Sequence, residues 1–169
     1  MKKLIFATHN ANKVKEVRNQ LMGTYEILGL NDIGFHEEII EDKKTIVENS
    51  IAKVRFVKER TGYDCFADDT GLEVNALNGK PGVFSKRFAG QNASSDDNIN
   101  KLLHMLKGKQ DRSAQFKTVI SLFNNGEIQT FEGICKGNIG FKRSGNFGFG
   151  YDPIFIPCLL YTSPSPRDR

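Results

Sequence analysis

Two adjacent aspartates, Asp68 and Asp69, are the residues of this sequence best suited to carry chemistry. They follow a short apolar run and precede Thr70-Gly71. Aspartate is disfavoured inside strands and two neighbouring negative charges repel, so the pair is costly unless a cation lies between the carboxylates. The pattern indicates a turn at a strand end that holds Mg²⁺ through hard oxygen ligands, and a solvated turn is the alternative.

A second polar segment, Thr8 to Lys13, separates a predicted strand, Leu4 to Ala7, from a predicted helix. The helix is indicated by apolar residues at intervals of three and four, Val14, Val17 and Leu21. A strand, a polar turn and a helix start aim backbone N–H groups and the positive end of the helix dipole at one point, which suits a phosphate. Many α/β proteins contain such a corner without binding phosphate. Together with the acidic pair, however, it predicts a phosphorylated substrate.

The composition indicates a single domain. The chain has 169 residues and is 38% hydrophobic, which allows a sizeable core. No apolar run is long enough to cross a bilayer, and the first residues pass into a strand pattern without a signal peptide. We therefore expect a soluble, cytoplasmic protein that does not bind a membrane. The net charge of +4 suits a small anionic substrate and gives no indication of nucleic-acid binding.

The three cysteines, Cys65, Cys135 and Cys158, have no metal-ligand spacing and cannot all pair within the chain. This pattern favours a reducing compartment and argues against zinc. Cys65 and Cys135 both lie in strand-like runs, where we expect buried apolar side chains.

The last twelve residues, 158–169, do not continue the pattern of the preceding chain. They read C-L-L-Y-T-S-P-S-P-R-D-R and resemble the conceptual translation of a sequencing adapter. We expect one domain over residues 1–157 that lacks its C-terminal segment, followed by a foreign tail.

The middle of the chain alternates helix and strand signals. Thr45 to Glu48 has the form of a capping box and predicts a helix to about Arg60, on which Asn49 and Lys53 share a face. Two short strands, Cys65 to Ala67 and Leu72 to Val74, are predicted on either side of the acidic pair.

The second half predicts a helix and then a hairpin. Ser94 or Ser95 caps the helix, which ends near Gly108. From Ala114 the period changes to two, and Asn124-Asn125-Gly126 supplies a hairpin turn. Helices and parallel-capable strands followed by a hairpin predict an α/β fold with a mixed sheet.

A glycine-aromatic segment runs from Gly145 to Pro153 and contains Phe147, Phe149 and Tyr151. Glycines let the backbone approach a flat ligand, and an aromatic ring can stack on a base. The same composition is also common in edge strands and loops.

Five segments, taken together, resemble the inosine/xanthosine triphosphate pyrophosphatase family in order and spacing. They are T-H-N-A-N-K (8–13), E-N-S-I-A-K (48–53), F-A-D-D-T-G-L-E-V (66–74), G-K-P-G-V-F-S-K-R-F-A-G (79–90) and F-G-Y-D-P-I-F (149–155). The resemblance implies a curved mixed sheet with helices on both sides, two lobes with a central cleft, and a homodimer when the chain is full length. It also implies Mg²⁺-dependent hydrolysis of ITP, dITP and XTP to the monophosphate and pyrophosphate.

The resemblance implies a role for each matching residue. Asp69 would be the general base and a magnesium ligand, with Asp68 and Glu41 as further metal ligands, although the sequence around Glu41 departs from the family form. Lys13 would act in catalysis as the direct cation on the triphosphate. The remaining substrate contacts would be Thr8, His9, Asn10, Ala11, Asn12, Lys53, Thr70, Arg87, Phe149, Gly150, Tyr151 and Asp152. Because the family continues beyond Pro157 with residues that contact the base, we expect the chain as given to be impaired and poorly selective.

Two other functions are consistent with parts of the pattern. The related family that hydrolyses dTTP and UTP shares the fold, but it expects a Ser-x-Ser-x-x-Arg-Arg start that T-H-N-A-N-K does not supply. A catalytically silent nucleotide sensor, or an RNA-binding module that stacks bases on Phe147, Phe149 and Tyr151, belongs to a different class.

Overall fold

A computed structural model of the chain describes residues 2–145 and 149–158. Its helices are α1 (Ala11–Gln20), α2 (Ile46–Thr61) and α3 (Ser95–Met105). Its strands are β1 (Lys2–Phe6), β2 (Tyr25–Gly29), β3 (Cys65–Val74), β4 (Pro81–Gly82), β5 (Ser113–Asn124), β6 (Glu127–Ile139) and β7 (Phe155–Pro157). Phe147 and residues 159–169, most of the expected tail, lie outside the described residues.

The strands form one mixed sheet in the order β2-β1-β3-β5-β6-β7, and β4 pairs with β3. Strand β1 runs parallel to β2 and β3, whereas β4 is antiparallel to β3 and β7 is antiparallel to β6. Mixed pairing with helical crossovers between the parallel strands confirms the predicted α/β class.

The chain forms two compact units, each with its own core. Among the described residues, the first comprises 2–71 and 117–133, and the second comprises 72–116, 134–145 and 149–158. In the first unit, α2 packs Val54 and Val57 into a cluster with β1 and β3. In the second, Ile99 and Leu102 of α3 pack against Leu72.

Helix α2 begins and ends where its sequence predicts. The Thr45 hydroxyl accepts a hydrogen bond from the Glu48 N–H, and the Glu48 carboxylate accepts one from the Thr45 N–H. Gly62 follows the helix with φ 73°, a left-handed conformation that glycine adopts without strain. These caps fix the register of the helix that carries Asn49 and Lys53.

Strand β3 differs from the prediction. Asp68 and Asp69 lie inside one ten-residue strand, not in a turn between two short strands. The strand tolerates both carboxylates because each has a lysine partner. Nothing in the local sequence signals those partners, which come from two different helices.

Cys65 is buried as expected, and burial raises the pKa of its thiol to about 11. Cys135 is exposed, so the prediction of a buried side chain there is wrong. Most side chains of β6 are exposed, and a strand pattern alone does not reveal that. No helix among the described residues is long and apolar enough to span a bilayer.

We predict that Gly137→Ala destabilises the pairing of β6 with β7. A Cβ atom at Gly137 would lie 2.6 Å from the Phe155 ring and would press on the backbone oxygen of Ile156. Overpacking of this kind costs about 1–3 kcal/mol in the free energy of unfolding, which urea titration measures.

The matched control is Gly133→Ala on the same strand, where a Cβ atom meets no atom within 4 Å. This change should leave the free energy of unfolding within about 1 kcal/mol or raise it, because alanine restricts the unfolded chain. Equal destabilisation by the two substitutions would contradict the described pairing of β6 with β7.

Candidate active site

The Asp69 carboxylate is nearly buried and lies beside one ammonium group. Its Oδ1 atom accepts a hydrogen bond of 3.0 Å from Lys53 Nζ. The same Nζ lies 2.7 Å from Glu41 Oε1 and donates to the backbone oxygen of Asp68 at 3.0 Å. A lysine ammonium has three N–H donors, and these three oxygens supply one acceptor for each.

Burial and charge set the protonation of this group. Burial acts to lower the pKa of Lys53, but the charges of Asp69 and Glu41 outweigh it, so the Lys53 pKa is raised and the ammonium stays charged. Burial raises the pKa of Asp69, and Lys53 opposes that shift only in part. Asp69 is therefore a stronger base than an ordinary aspartate.

Asn49 connects the elements that carry these charges. It lies four residues before Lys53 on α2, which puts the two side chains on one helix face. Its side chain is buried, and its Oδ1 accepts a hydrogen bond of 3.0 Å from the Lys43 N–H. This bond attaches the segment that carries Glu41 to α2.

The Asp68 carboxylate has different partners. Lys13 Nζ donates to Asp68 Oδ2 at 2.5 Å, and Thr70 Oγ1 lies 3.4 Å from the same oxygen. Thr70 Oγ1 is also 2.9 Å from Thr118 Oγ1 on β5. Successive side chains of a strand point to opposite faces, so Asp68 and Thr70 share one face of β3 and Asp69 occupies the other.

The structure therefore gives Asp68 and Asp69 separate cationic partners, and their predicted role as metal ligands stays a prediction. Each carboxylate faces its own lysine, because the strand geometry separates two adjacent side chains. The described residues contain no group of three or more His, Cys, Asp or Glu side chains arranged to hold a metal ion.

The corner between β1 and α1 is organised by Asn10. Its side chain caps the helix by accepting from the N–H groups of Asn12 at 3.0 Å and Lys13 at 3.3 Å. The Asn10 N–H in turn donates to Thr8 Oγ1 at 3.1 Å. Several amides expected to face a phosphate are thus engaged within the protein, and Lys13 is the charged group that the corner presents. The predicted contact of Ala11 with substrate stays a prediction.

His9 also makes contacts within the protein. Its Nδ1 atom lies 3.1 Å from Asn31 Oδ1, and its Nε2 atom lies 3.0 Å from the backbone oxygen of Glu37. The ring attaches the residues after β1 to the segment after β2. Its predicted contact with substrate stays a prediction.

The predicted base-binding turn lies in the second unit. Tyr151 is buried, and its hydroxyl donates to the backbone oxygen of Ser85 at 2.8 Å. The prediction of a base-stacking platform that includes the Tyr151 ring is therefore wrong, because that ring is packed in the core. The Asp152 carboxylate accepts from the Phe149 N–H at 2.9 Å and shapes the turn, in which Gly150 has φ 60°.

Two side chains of the second unit remain accessible candidates. Phe149 is 44% exposed, and Arg87 is partly exposed with its guanidinium 5.1 Å from the centre of the Phe84 ring. Their roles toward substrate stay predictions.

The first unit contains a buried basic carboxylate, Asp69, beside Lys53 and a second acid, Glu41. This arrangement suits hydrolysis of a polyphosphate. A model of the Ham1 family matches residues 4–163 of the chain. The chain belongs to the Ham1 family.

Relatives and solved structures in the Ham1 family agree with this assignment. The dITP/XTP pyrophosphatase of Flavobacterium psychrophilum is 54% identical over 154 residues, which cover 91% of this chain and 81% of that protein. The dITP/XTP pyrophosphatase of Porphyromonas gingivalis is 48% identical, covering 93% and 81%. The Staphylococcus aureus Ham1 structure is similar with a TM-score of 0.81 and 38% identity, covering 91% of this chain and 80% of that one. The Coxiella burnetii HAM1 structure has a TM-score of 0.83 and 37% identity, covering 92% and 81%.

Two contributors to this candidate site are not among the residues that the sequence predicts for it. Asn49 was expected only to share a helix face with Lys53, although its position one turn earlier was a usable signal. Thr118 had no signal, because its contact with Thr70 depends on which strand lies beside β3.

We predict that Lys53→Met lowers the free energy of unfolding by about 3–5 kcal/mol, because it leaves the charges of Asp69 and Glu41 without their shared ammonium. The deficit should shrink as pH falls from neutral toward 3.8, the ordinary carboxylate pKa. Burial raises the Asp69 pKa in both proteins, but the variant lacks the Lys53 ammonium that opposes this shift. In the variant the folded-state pKa therefore lies further above the unfolded-state value than in the wild type. Protonation therefore favours folding, and stability falls as pH rises between the two pKa values.

Urea titration at several pH values measures this deficit, with the exposed Lys44→Met as the control for loss of one lysine. A deficit equal to that of the control, or one independent of pH, would show that Lys53 does not neutralise buried carboxylates.

Proposed function

We propose that this chain hydrolyses non-standard purine nucleoside triphosphates, ITP, dITP and XTP, to the monophosphate and pyrophosphate in the cytoplasm. The observation that carries the proposal is the buried Asp69 carboxylate, whose pKa is raised by burial and which lies beside Lys53 and Glu41. The dITP/XTP pyrophosphatases that match most of the chain support the same substrate class.

Asp69 acts as the general base in this proposal. A base must remove a proton from the attacking water, and a carboxylate with a raised pKa holds that proton more strongly than an exposed aspartate would. Lys53 keeps Asp69 in position through a hydrogen bond of 3.0 Å.

The donor atoms fit a magnesium ion that arrives with its substrate. Glu41 and Asp69 each have a carboxylate oxygen within 3.0 Å of one ammonium nitrogen, so two hard anionic ligands already converge on one positive charge. Mg²⁺ is usually held by one or two carboxylates together with substrate phosphates and water, and it seldom occupies a cage built from protein ligands alone. We propose that Asp69 and Glu41 are its ligands and that Asp68 holds Lys13.

When bound, Mg²⁺ lowers the pKa of a coordinated water and neutralises charge on phosphate oxygens. Lys13 binds the triphosphate from the first turn of α1, where the helix dipole also favours an anion. Its ammonium is only partly exposed and is held by Asp68, so it keeps a fixed direction before substrate binds. Positive groups fixed in advance stabilise the negative charge that develops during hydrolysis.

We propose that the turn from Phe149 to Asp152 contacts the base and sugar. Phe149 is the exposed aromatic side chain of this turn and can stack on a purine, whereas Tyr151 supports the turn from the core. Stacking does not distinguish ITP from ATP. Selectivity therefore requires donors to the 6-oxo group, because a buried polar contact left unpaired penalises the wrong base strongly.

We predict that Asp69→Asn lowers kcat for pyrophosphate release from ITP in the presence of Mg²⁺ by about 10²–10⁴-fold, because it removes the general base. Asp42→Asn is the matched control, since Asp42 is an exposed carboxylate beside Glu41 and loses the same charge. The assay is run on this chain and on a hybrid whose residues 158–169 are replaced by the corresponding segment of the Flavobacterium psychrophilum relative.

A substrate panel of ITP, XTP, dTTP, UTP and ATP separates the competing functions. Preference for dTTP or UTP would support the related family, and binding of ITP without turnover in both forms would support a silent sensor. Wild-type activity from Asp69→Asn would contradict the proposed mechanism.

We also propose that the chain is a homodimer when full length and that the hairpin of β5 and β6 contributes to the interface. Ile120 is 40% exposed and Phe131 is 54% exposed. The two-residue turn at Asn125-Gly126 sets these two residues opposite each other in the hairpin. An exposed apolar pair on a hairpin is suited to contact with a second copy.

We predict that Phe131→Glu converts a dimer into a monomer, because it would place a charge in the buried part of the interface. Light scattering after size-exclusion chromatography measures the mass. Tyr63→Glu is the control, since Tyr63 is an exposed aromatic residue outside the hairpin. The measurement is made on the hybrid that carries the relative's C-terminal segment. A monomeric hybrid, or a dimeric hybrid that survives Phe131→Glu, would contradict this proposal.

A further inference from the structure

Thr118 lies beside Thr70, a predicted substrate contact, but belongs to none of the segments that suggested the function. It is on β5, the neighbour of β3 in the sheet. Its Oγ1 atom is 2.9 Å from Thr70 Oγ1, and Thr70 Oγ1 is 3.4 Å from Asp68 Oδ2. Lys13 donates to that same carboxylate oxygen. Four side chains of the first unit therefore form one connected series.

The direction of these hydrogen bonds follows from the ionised carboxylate. An ionised Asp68 can only accept, so the contact between Thr70 and Asp68 requires Thr70 to donate. A threonine hydroxyl has one proton, so Thr70 must then accept from Thr118. The protons thus run from Thr118 to Thr70 and from Thr70 to Asp68.

The two distances show which contact holds Thr70 in place. An O–H···O bond is usually 2.5–3.0 Å long, so the contact of 3.4 Å with Asp68 is weak and the contact of 2.9 Å with Thr118 is normal. Thr118 therefore holds the rotamer of Thr70. Without it, the Thr70 methyl and hydroxyl groups could exchange positions.

We propose that Thr118 is a positioning residue for the phosphate-binding side of the site. It keeps the Thr70 hydroxyl directed along the face of β3 that carries Asp68, and Asp68 holds the ammonium of Lys13. This inference rests on the proposed function in taking Lys13 as the cation on the polyphosphate, and it adds that the Thr70 hydroxyl, a predicted substrate contact, meets the same phosphates.

The test measures binding of inorganic triphosphate with Mg²⁺ by calorimetry, because this probe has no base and reports on the phosphate side alone. Thr118→Val keeps the shape of the side chain and removes the hydroxyl, and it should weaken binding about 3-fold to 10-fold, the value of one hydrogen bond. Thr118→Ser restores the hydroxyl and should bind within about 2-fold of wild type. Thr130→Val, at an exposed threonine of β6, is the matched control and should not change affinity.

Repeating the measurement in a Thr70→Val chain distinguishes an action of Thr118 through Thr70 from a purely structural role. If Thr118 acts through Thr70, Thr118→Val should cause no further loss in a Thr70→Val chain. Additive losses, or an unchanged affinity in Thr118→Val, would overturn the inference, and so would a wild-type chain that does not bind triphosphate. If triphosphate binding behaves as expected but ITP yields no pyrophosphate, the proposed function fails and this inference stands.

Discussion

Successive side chains of a β-strand point to opposite faces, and in β3 this geometry acts on two adjacent carboxylates. Asp68 and Asp69 would repel each other if both faced one side. The strand instead presents Asp68 to Lys13 from α1 and Asp69 to Lys53 from α2. The positions of both helices in the first unit are therefore tied to one pair of residues, because each helix must deliver an ammonium to its own face.

Stability alone does not explain why the protein buries the charges of Lys53, Asp69 and Glu41 together. A buried ion pair loses the hydration of both partners, and replacing such pairs by apolar residues is often neutral or stabilising. The group retains three charges, one of which is a carboxylate whose pKa is raised by burial. We infer that the protein keeps these charges because a buried base beside cations is what phosphate chemistry requires.

Local sequence signals predicted the helices and the hairpin well. The capping box of α2, the Ser94 cap of α3 and the Asn125-Gly126 turn depend on interactions within a few residues, so the sequence contains the whole signal. Strand β3 was predicted as two short strands because aspartate propensity argues against a strand at Asp68 and Asp69. The lysines that override this propensity lie 55 and 16 residues away in the chain. The exposure of Cys135 and the role of Thr118 depend on neighbouring strands, which a single sequence does not identify.

The distinction between local signals and contacts distant in the chain also applies to the candidate site. The resemblance named Lys13, Lys53, Asp68, Asp69 and Glu41, and the structure brings these side chains into two charge groups. It did not indicate that Asp68 and Asp69 have separate partners, because spacing along the chain contains no information about the face to which a side chain points.

Double-mutant cycles on the free energy of unfolding test this separation most directly. The cycles combine Lys13→Met or Lys53→Met with Asp68→Asn or Asp69→Asn. The account predicts coupling energies of about 1–3 kcal/mol for Lys13 with Asp68 and for Lys53 with Asp69, and values within about 0.5 kcal/mol for the two crossed pairs. Strong coupling between Lys13 and Asp69 would contradict it, because both carboxylates would then share one charge group.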